Sequence, residues 1–132
     1  MSGIAYLGPY AVSKVGVVSL SETLRAELAM EGVPIGVSVL CPGFTNTNVM
    51  ESERNRPSRL GAEQRTDDAQ GFVDFVKGSM TTEDGKEPDA VAAQVVDAVH
   101  HDRFWVVSHP GVDAMIEPRF AAILDASREG GK

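Results

Sequence analysis

The sequence predicts an α/β fold: part of a doubly wound parallel sheet, in the order long helix, strand, lid loop, helix, strand and short helix. Two observations predict it. Apolar residues at helical spacing alternate along the chain with short extended apolar segments, the pattern of strand–helix–strand units. The extended segments are apolar on both faces, which is typical of strands buried in a parallel sheet. The 132 residues form one domain at most.

The first helix is predicted over residues 9–30. Pro9 suits the first position of a helix, and Gly32 is a fitting stop just beyond its end. Gly16 interrupts this helix at a cost of about 1 kcal/mol relative to Ala, which predicts close packing against another element. The predicted apolar stripe of the helix comprises Val17, Leu20, Leu24 and Leu28.

The first strand is predicted over residues 35–41, and the Pro42-Gly43 dipeptide ends it. Cys41, the single cysteine of the chain, lies at the end of this apolar strand, so we interpret it as a buried structural thiol rather than a nucleophile. From Thr45 to about Gln70 the chain is polar and aperiodic. A loop of this length in a compact domain is often a functional lid.

The remaining elements complete one strand–helix–strand unit. A second helix is predicted to begin near Pro88 and to lead into a strand over residues 104–107, where we expect Trp105 to lie in the core. A last short helix is predicted over residues 113–127, and Pro118 is expected to kink it or to end its first part.

Tyr10 and Lys14, in the stretch GPYAVSK, are the clearest candidates for chemistry. A phenol is a reluctant proton donor at neutral pH, and an ammonium held nearby favours its ionised form. Residues four apart share one face of a helix, so Lys14 can lie beside Tyr10. A tyrosine in this setting can exchange a proton with a carbonyl or alcohol oxygen while hydride moves at the carbon.

The run from Pro9 to Thr47 resembles the central segment of the short-chain dehydrogenase/reductase family. In that family a YxxxK helix is followed by a strand and a PG-x-x-x-T turn. Here the helix motif is Tyr10 to Lys14, and the turn is Pro42-Gly43 with Thr47. The resemblance implies that residues 1–132 are the C-terminal portion of a single Rossmann-like NAD(P)-binding domain.

The resemblance also implies roles for residues and for ligands. Tyr10 would be the general acid/base, and Lys14 would bind the nicotinamide ribose hydroxyls. The turn residues Pro42 and Gly43 would lie against the nicotinamide of NAD or NADP. Thr45 and Thr47 would contact its carboxamide. The segment of about residues 45–80 would cover the substrate, a small carbonyl or alcohol compound.

Other parts of the family pattern have no counterpart in the chain. There is no GxGxxG and no other phosphate-binding glycine cluster. The family's catalytic serine would precede Met1. We therefore expect that the chain descends from an enzyme that transfers hydride, and that the isolated chain is incomplete and inactive. The alternative is a non-catalytic, truncated remnant or an interaction module. In that case the helix over residues 9–30 would associate with a second copy or a relative, an association that the family's dimer interface also implies.

Composition and charge exclude several other classes of function. A formal net charge of −7 argues against nucleic acid or an anionic membrane as a partner. The sequence has no 18-residue apolar run and no secretory signal, and the single Cys41 fits a reducing compartment, so a cytoplasmic location is expected. The histidines His100, His101 and His109 lack the spacing of metal ligands, so no metal site is predicted.

Overall fold

The computed structural model describes residues 5–81 and 85–130 and confirms the predicted α/β class. Two strands pair in parallel, with Val39 opposite Trp105 and Cys41 opposite Val107. The segment between the strands contains two of the four α-helices, and two 3₁₀-helices cover residues 48–55 and 58–60. The elements are α1 (Gly8–Met30), β1 (Val39–Cys41), α2 (Asp67–Met80), α3 (Pro88–His100), β2 (Trp105–Val107) and α4 (Asp113–Glu129).

The core lies between α3 and the two strands. Phe104, Val106 and Ser108 are buried at alternate positions along and just beyond β2, as expected for one face of a strand. Helix α3 packs against this strand and buries Val91 and Ala98. The buried apolar side chains of the described residues are Val39, Met80, Val91, Ala98, Phe104 and Val106.

Helix α1 has the predicted length, but its apolar stripe is exposed except at Leu28, which is half-buried. Leu20 is 70% exposed and Leu24 is 45% exposed. A helix of 23 residues is about 35 Å long, whereas each strand of 3 residues is only about 10 Å long, so this sheet is too small to cover the helix. The predicted close packing at Gly16 is wrong for the described residues, because a Cβ placed there has nothing within 4 Å.

The strands are shorter than predicted, and one core assignment is wrong. β1 begins at Val39 rather than at residue 35, and β2 begins at Trp105 rather than at residue 104. Trp105 is 50% exposed, not buried, because it points to the face of the sheet opposite Phe104 and Val106. The two aromatic rings meet edge to face at 4.9 Å. The last helix, α4, continues through Pro118 to Glu129.

The predicted lid loop contains more helix than its polar composition suggested. The hydroxyl of Thr66 accepts a hydrogen bond from Ala69 N at 3.3 Å and so caps α2. Lys77 of α2 pairs with Glu51 at 2.7 Å, which ties the helix to the first 3₁₀ turn. Within residues 5–81 and 85–130, no helix has the length and apolar character needed to cross a membrane.

Candidate active site

Tyr10 lies in the first turn of α1, where Pro9 helps to start the helix. Its backbone carbonyl accepts a hydrogen bond from the Ser13 hydroxyl at 2.7 Å. The residue is 55% exposed, and its ring centroid lies 5.3 Å from the Lys14 ammonium, within the range of a cation–π contact. The sequence spacing therefore brings together the two side chains that it predicted to be neighbours.

The turn that follows β1 is held by the residues that follow β2. The backbone N–H of Gly43 donates to Nδ1 of His109 at 3.0 Å and lies 3.3 Å from the Ser108 hydroxyl. A Cβ at residue 43 would lie only 2.6 Å from Cγ of His109. Glycine is required here by the close approach of the imidazole ring. Pro42, beside it, is exposed.

The next residues of the turn are fixed by Lys86, in the segment that precedes α3. Thr45 and Lys86 form an isolated parallel bridge. The Lys86 backbone accepts from Asn46 N at 2.9 Å and donates to the Phe44 carbonyl at 3.0 Å. The Lys86 ammonium donates to the Ser108 carbonyl. This one residue therefore joins the turn to the end of β2.

The two threonines of the turn keep hydrogen-bonding capacity. The Thr45 hydroxyl donates to the Gly43 carbonyl at 3.3 Å, which leaves its oxygen free to accept. Thr47 stands in extended backbone just before the first 3₁₀-helix, is exposed, and does not cap that helix with its side chain. Both hydroxyls can therefore bind a polar group of a small molecule.

The predicted site residues fall into two groups. Tyr10 and Lys14 form one, and residues 42–47, called here the turn segment, form the other. Among residues 5–81 and 85–130, no hydrogen bond, ion pair or ring contact joins the two groups. The lid segment, residues 45–80, contacts the residues just before α1, since the rings of Tyr6 and Phe72 lie 5.9 Å apart.

Sequence analysis missed three residues that shape the turn segment, namely Lys86, Ser108 and His109. Two of these residues, Ser108 and His109, could have been found from their positions in the sequence. Ser108 and His109 follow an apolar strand directly, and the carboxyl ends of parallel strands meet at one edge of a sheet. Pairing β1 with β2 in register would have placed them beside Pro42 and Gly43.

Cys41, the single cysteine of the chain, was predicted to be a buried structural thiol. The residue is half-buried rather than fully buried, and this partial burial raises the pKa of the thiol, which disfavours the nucleophilic thiolate. In the part of the chain that the structure describes, no three His, Cys, Asp or Glu side chains are grouped as metal ligands would be.

Comparison with known proteins identifies the family. Residues 1–58 match the sequence profile of the short chain dehydrogenases. The structure superposes with a TM-score of 0.78 on the crystal structure of a short-chain dehydrogenase/reductase from Burkholderia phymatum in complex with NAD. That match is 32% identical and covers 88% of this chain. The chain belongs to the short-chain dehydrogenase/reductase family. The resemblance seen in the sequence, and the Rossmann-like fold it implied, are confirmed.

Two curated proteins are similar to this protein over most of the chain. One is a "CLA biosynthesis dehydrogenase/reductase" of Lactiplantibacillus plantarum, 29% identical over 87% of this chain. The other is a "C alpha-dehydrogenase" of a Sphingobium strain, 28% identical over 94% of this chain. The chain spans 41% and 39% of the lengths of these two relatives, and 41% of the NAD-bound protein.

Proposed function

We propose that the chain carries the proton-transfer side of a nicotinamide-dependent oxidoreductase that interconverts a carbonyl compound and an alcohol. The observation that carries the proposal is the placement of Lys14 over the Tyr10 ring at the start of α1. The NAD complex of the Burkholderia phymatum relative supports it. The names of the curated relatives, both dehydrogenases, agree with it.

Tyr10 is the proposed general acid/base. Its exposed phenol exchanges a proton with the substrate oxygen, donating during carbonyl reduction and accepting during alcohol oxidation. Two features supply positive potential around the Tyr10 ring: the Lys14 ammonium, 5.3 Å from the ring centroid, and the N-terminal end of α1.

NAD or NADP is the proposed cofactor, and when bound it supplies or accepts the hydride. The residues present fit its nicotinamide end. The Lys14 ammonium has three N–H donors and no ion-pair partner in the described part of the chain, so it can donate to ribose hydroxyls. The proposed contacts of Thr45 and Thr47 with the carboxamide use hydroxyls that retain free lone pairs. Pro42 and Gly43 would flank the ring.

The lid segment, residues 45–80, is proposed to cover the substrate. It begins within the turn segment, sharing residues 45–47 with it, and its helix α2 contacts Tyr6, four residues before Tyr10. Three side chains of α2 are half-buried rather than fully packed, which leaves the helix a shallow apolar face: Phe72, Val73 and Val76. Such a face suits a small substrate with an apolar part.

We propose further that residues 1–132 form the C-terminal portion of the Rossmann-like domain and do not turn over substrate by themselves. No glycine cluster that could hold a pyrophosphate occurs among these residues. Without pyrophosphate contacts the dinucleotide is held at its nicotinamide end alone, and mispositioning by an ångström costs about 10²-fold in rate.

The proposed function is tested by measuring the activity of a fusion protein. The part of the Burkholderia phymatum relative that this chain does not match is joined in front of the chain, and NADH or NADPH oxidation is followed with a panel of small ketones and aldehydes. The proposal predicts turnover that falls by about 10²- to 10⁴-fold in Tyr10→Phe. A fusion that is folded by circular dichroism and that turns over equally well with Tyr10→Phe would refute the assignment.

A second candidate function is an interaction module, and the exposed stripe of α1 favours it. Leu20 and Leu24 present apolar side chains along one side of the helix. We propose that two copies, or the chain and a longer relative, associate through this face. Sedimentation at several concentrations tests the idea. If the double variant Leu20→Lys/Leu24→Lys still associates, α1 is excluded as the interface.

A further inference from the structure

We propose that Ser108 and His109 are positioning residues that fix the backbone of Gly43, and through it the turn segment. The inference rests on the proposed function in one respect: that function assigns the turn segment to the nicotinamide. The starting observation is the Gly43 N–H, which points at Nδ1 of His109 and at the Ser108 hydroxyl. Neither side chain touches the reacting atoms of the proposed mechanism.

The hydrogen bonds decide which nitrogen of His109 carries the proton. A backbone N–H can only donate, so Nδ1, 3.0 Å from Gly43 N, must accept. The Ser108 hydroxyl oxygen lies 2.6 Å from the same nitrogen, so the Gly43 N–H is shared between these two acceptors. A proton on Nδ1 would confront the Gly43 N–H directly. The ring proton of neutral His109 therefore lies on Nε2.

Nε2 itself is buried and has no hydrogen-bond partner among residues 5–81 and 85–130. A buried donor without a partner destabilises the folded state, so holding the ring in this orientation requires a favourable contact at its opposite edge. The bond from Gly43 to Nδ1 supplies it. The ring is also fixed by contact, because there is room for only a hydrogen atom on Cα of Gly43.

Ser108 is held as firmly as His109. Only 2% of its surface is exposed, and its carbonyl accepts from the Lys86 ammonium and from Gln94 Nε2 at 3.5 Å. Lys86 in turn pairs with Phe44 and Asn46 on either side of Thr45. The turn segment is thus tied to the end of β2 at Gly43 and again around Thr45. Residues that position a ligand work best when their neighbours lock them in this way.

The first test uses the 132-residue chain and needs no cofactor. Nitrogen-15 NMR of the imidazole reports the tautomer, and hydrogen exchange reports the protection of the Gly43 amide. We expect an unprotonated Nδ1 and a protected amide. His109→Phe keeps an aromatic ring but removes the acceptor, so exchange at Gly43 should accelerate about tenfold. His109→Asn, whose side-chain oxygen lies near the position of Nδ1, should restore protection. His100→Phe, at an exposed position on α3, is the control.

Either of two results would overturn the hydrogen bond: a proton on Nδ1 in the wild type, or equal Gly43 exchange in the wild type and His109→Phe. The tautomer measurement tests the hydrogen bond even if a variant fails to fold, because it is made on the unaltered chain.

The second test asks whether this bond matters for the nicotinamide site. Reduced nicotinamide mononucleotide, which needs no pyrophosphate site, is titrated into the labelled chain. The proposal predicts saturable amide shifts in the turn segment, weakened about tenfold by His109→Phe and restored by His109→Asn. Equal affinity in the wild type and His109→Phe would overturn the positioning role. If the titration shifts no amide signal of the wild type, that result would count against the proposed function. The exchange rate of the Gly43 amide would still test the hydrogen bond to His109 independently.

Discussion

The Lys14 ammonium lies 5.3 Å from the centre of the Tyr10 ring, across one turn of α1. The contact places a positive charge beside the phenol in the same turn in which the helix begins, where the backbone N–H groups add to the positive potential. The Tyr10 hydroxyl makes no hydrogen bond to another residue in the described part of the chain. The pair is therefore presented to solvent with its donors available to a ligand.

Phe104 should be the side chain on which the stability of the small core depends most. It is 6% exposed and contacts both Trp105 and the Arg25 guanidinium, 5.0 Å from its ring. Phe104→Ala is expected to lower the free energy of unfolding by about 3–5 kcal/mol. Phe120→Ala, at a position 56% exposed on α4, should change it by less than about 0.5 kcal/mol. Urea denaturation followed by circular dichroism measures the free energy of unfolding of the two variants. Equal losses in the two variants would show that the core lies elsewhere.

Gly43 and Gly16 should respond in opposite directions to the same substitution. Gly43→Ala forces a methyl group into the His109 ring, and such overpacking costs about 1–3 kcal/mol. Gly16→Ala adds a methyl group to open space on α1 and should stabilise the helix by up to about 1 kcal/mol. Thermal unfolding of both variants measures the difference. A stabilising Gly43→Ala would contradict the close contact with His109.

The pairing of Glu51 with Lys77 predicts a pH dependence of the lid segment. The hydrogen bond from Lys77 and its charge lower the pKa of the Glu51 carboxyl below its ordinary value of 4.5. Because the folded state favours the carboxylate, the stabilisation is present above that ordinary value and is lost as pH falls through the lowered pKa. The pair is exposed, so the effect on stability should be small.

An NMR titration of the Glu51 carboxyl carbon tests this dependence. In Lys77→Met the pKa of Glu51 should rise toward its ordinary value, whereas Lys77→Arg should leave it lowered. An identical titration curve in the wild type and Lys77→Met would show that the two residues are not paired in solution.

The helices α1, α3 and α4 and the pair of Tyr10 and Lys14 could be predicted from the sequence because they depend on local spacing. Pro9 and Gly32 delimit α1, and the four-residue interval between Tyr10 and Lys14 is one helical turn. The exposure of Trp105 could not be predicted, because a strand that is apolar on both faces does not indicate which face its neighbours cover.

The residues that hold the turn segment were beyond the reach of spacing arguments. Gly43 and His109 are 66 positions apart, and only the parallel register of β1 and β2 brings them into contact. The helix within the lid was obscured by its polar composition. Its clearest sequence signal was Thr66 followed by two acidic residues, a pattern that favours the N-terminus of a helix.

The central claim is that Lys14 binds the nicotinamide half of the cofactor, and NADH affinity tests it most directly. The fusion protein described above is titrated with NADH by calorimetry, alongside the variants Lys14→Met and Arg128→Met. Both variants remove one positive charge, but Arg128 lies at the far end of α4, paired with Asp125. The account predicts that Lys14→Met raises the dissociation constant about tenfold or more, the loss of one charge-assisted hydrogen bond, and that Arg128→Met leaves it unchanged. Equal affinities in the wild type and Lys14→Met would contradict the assignment of Lys14 to the cofactor.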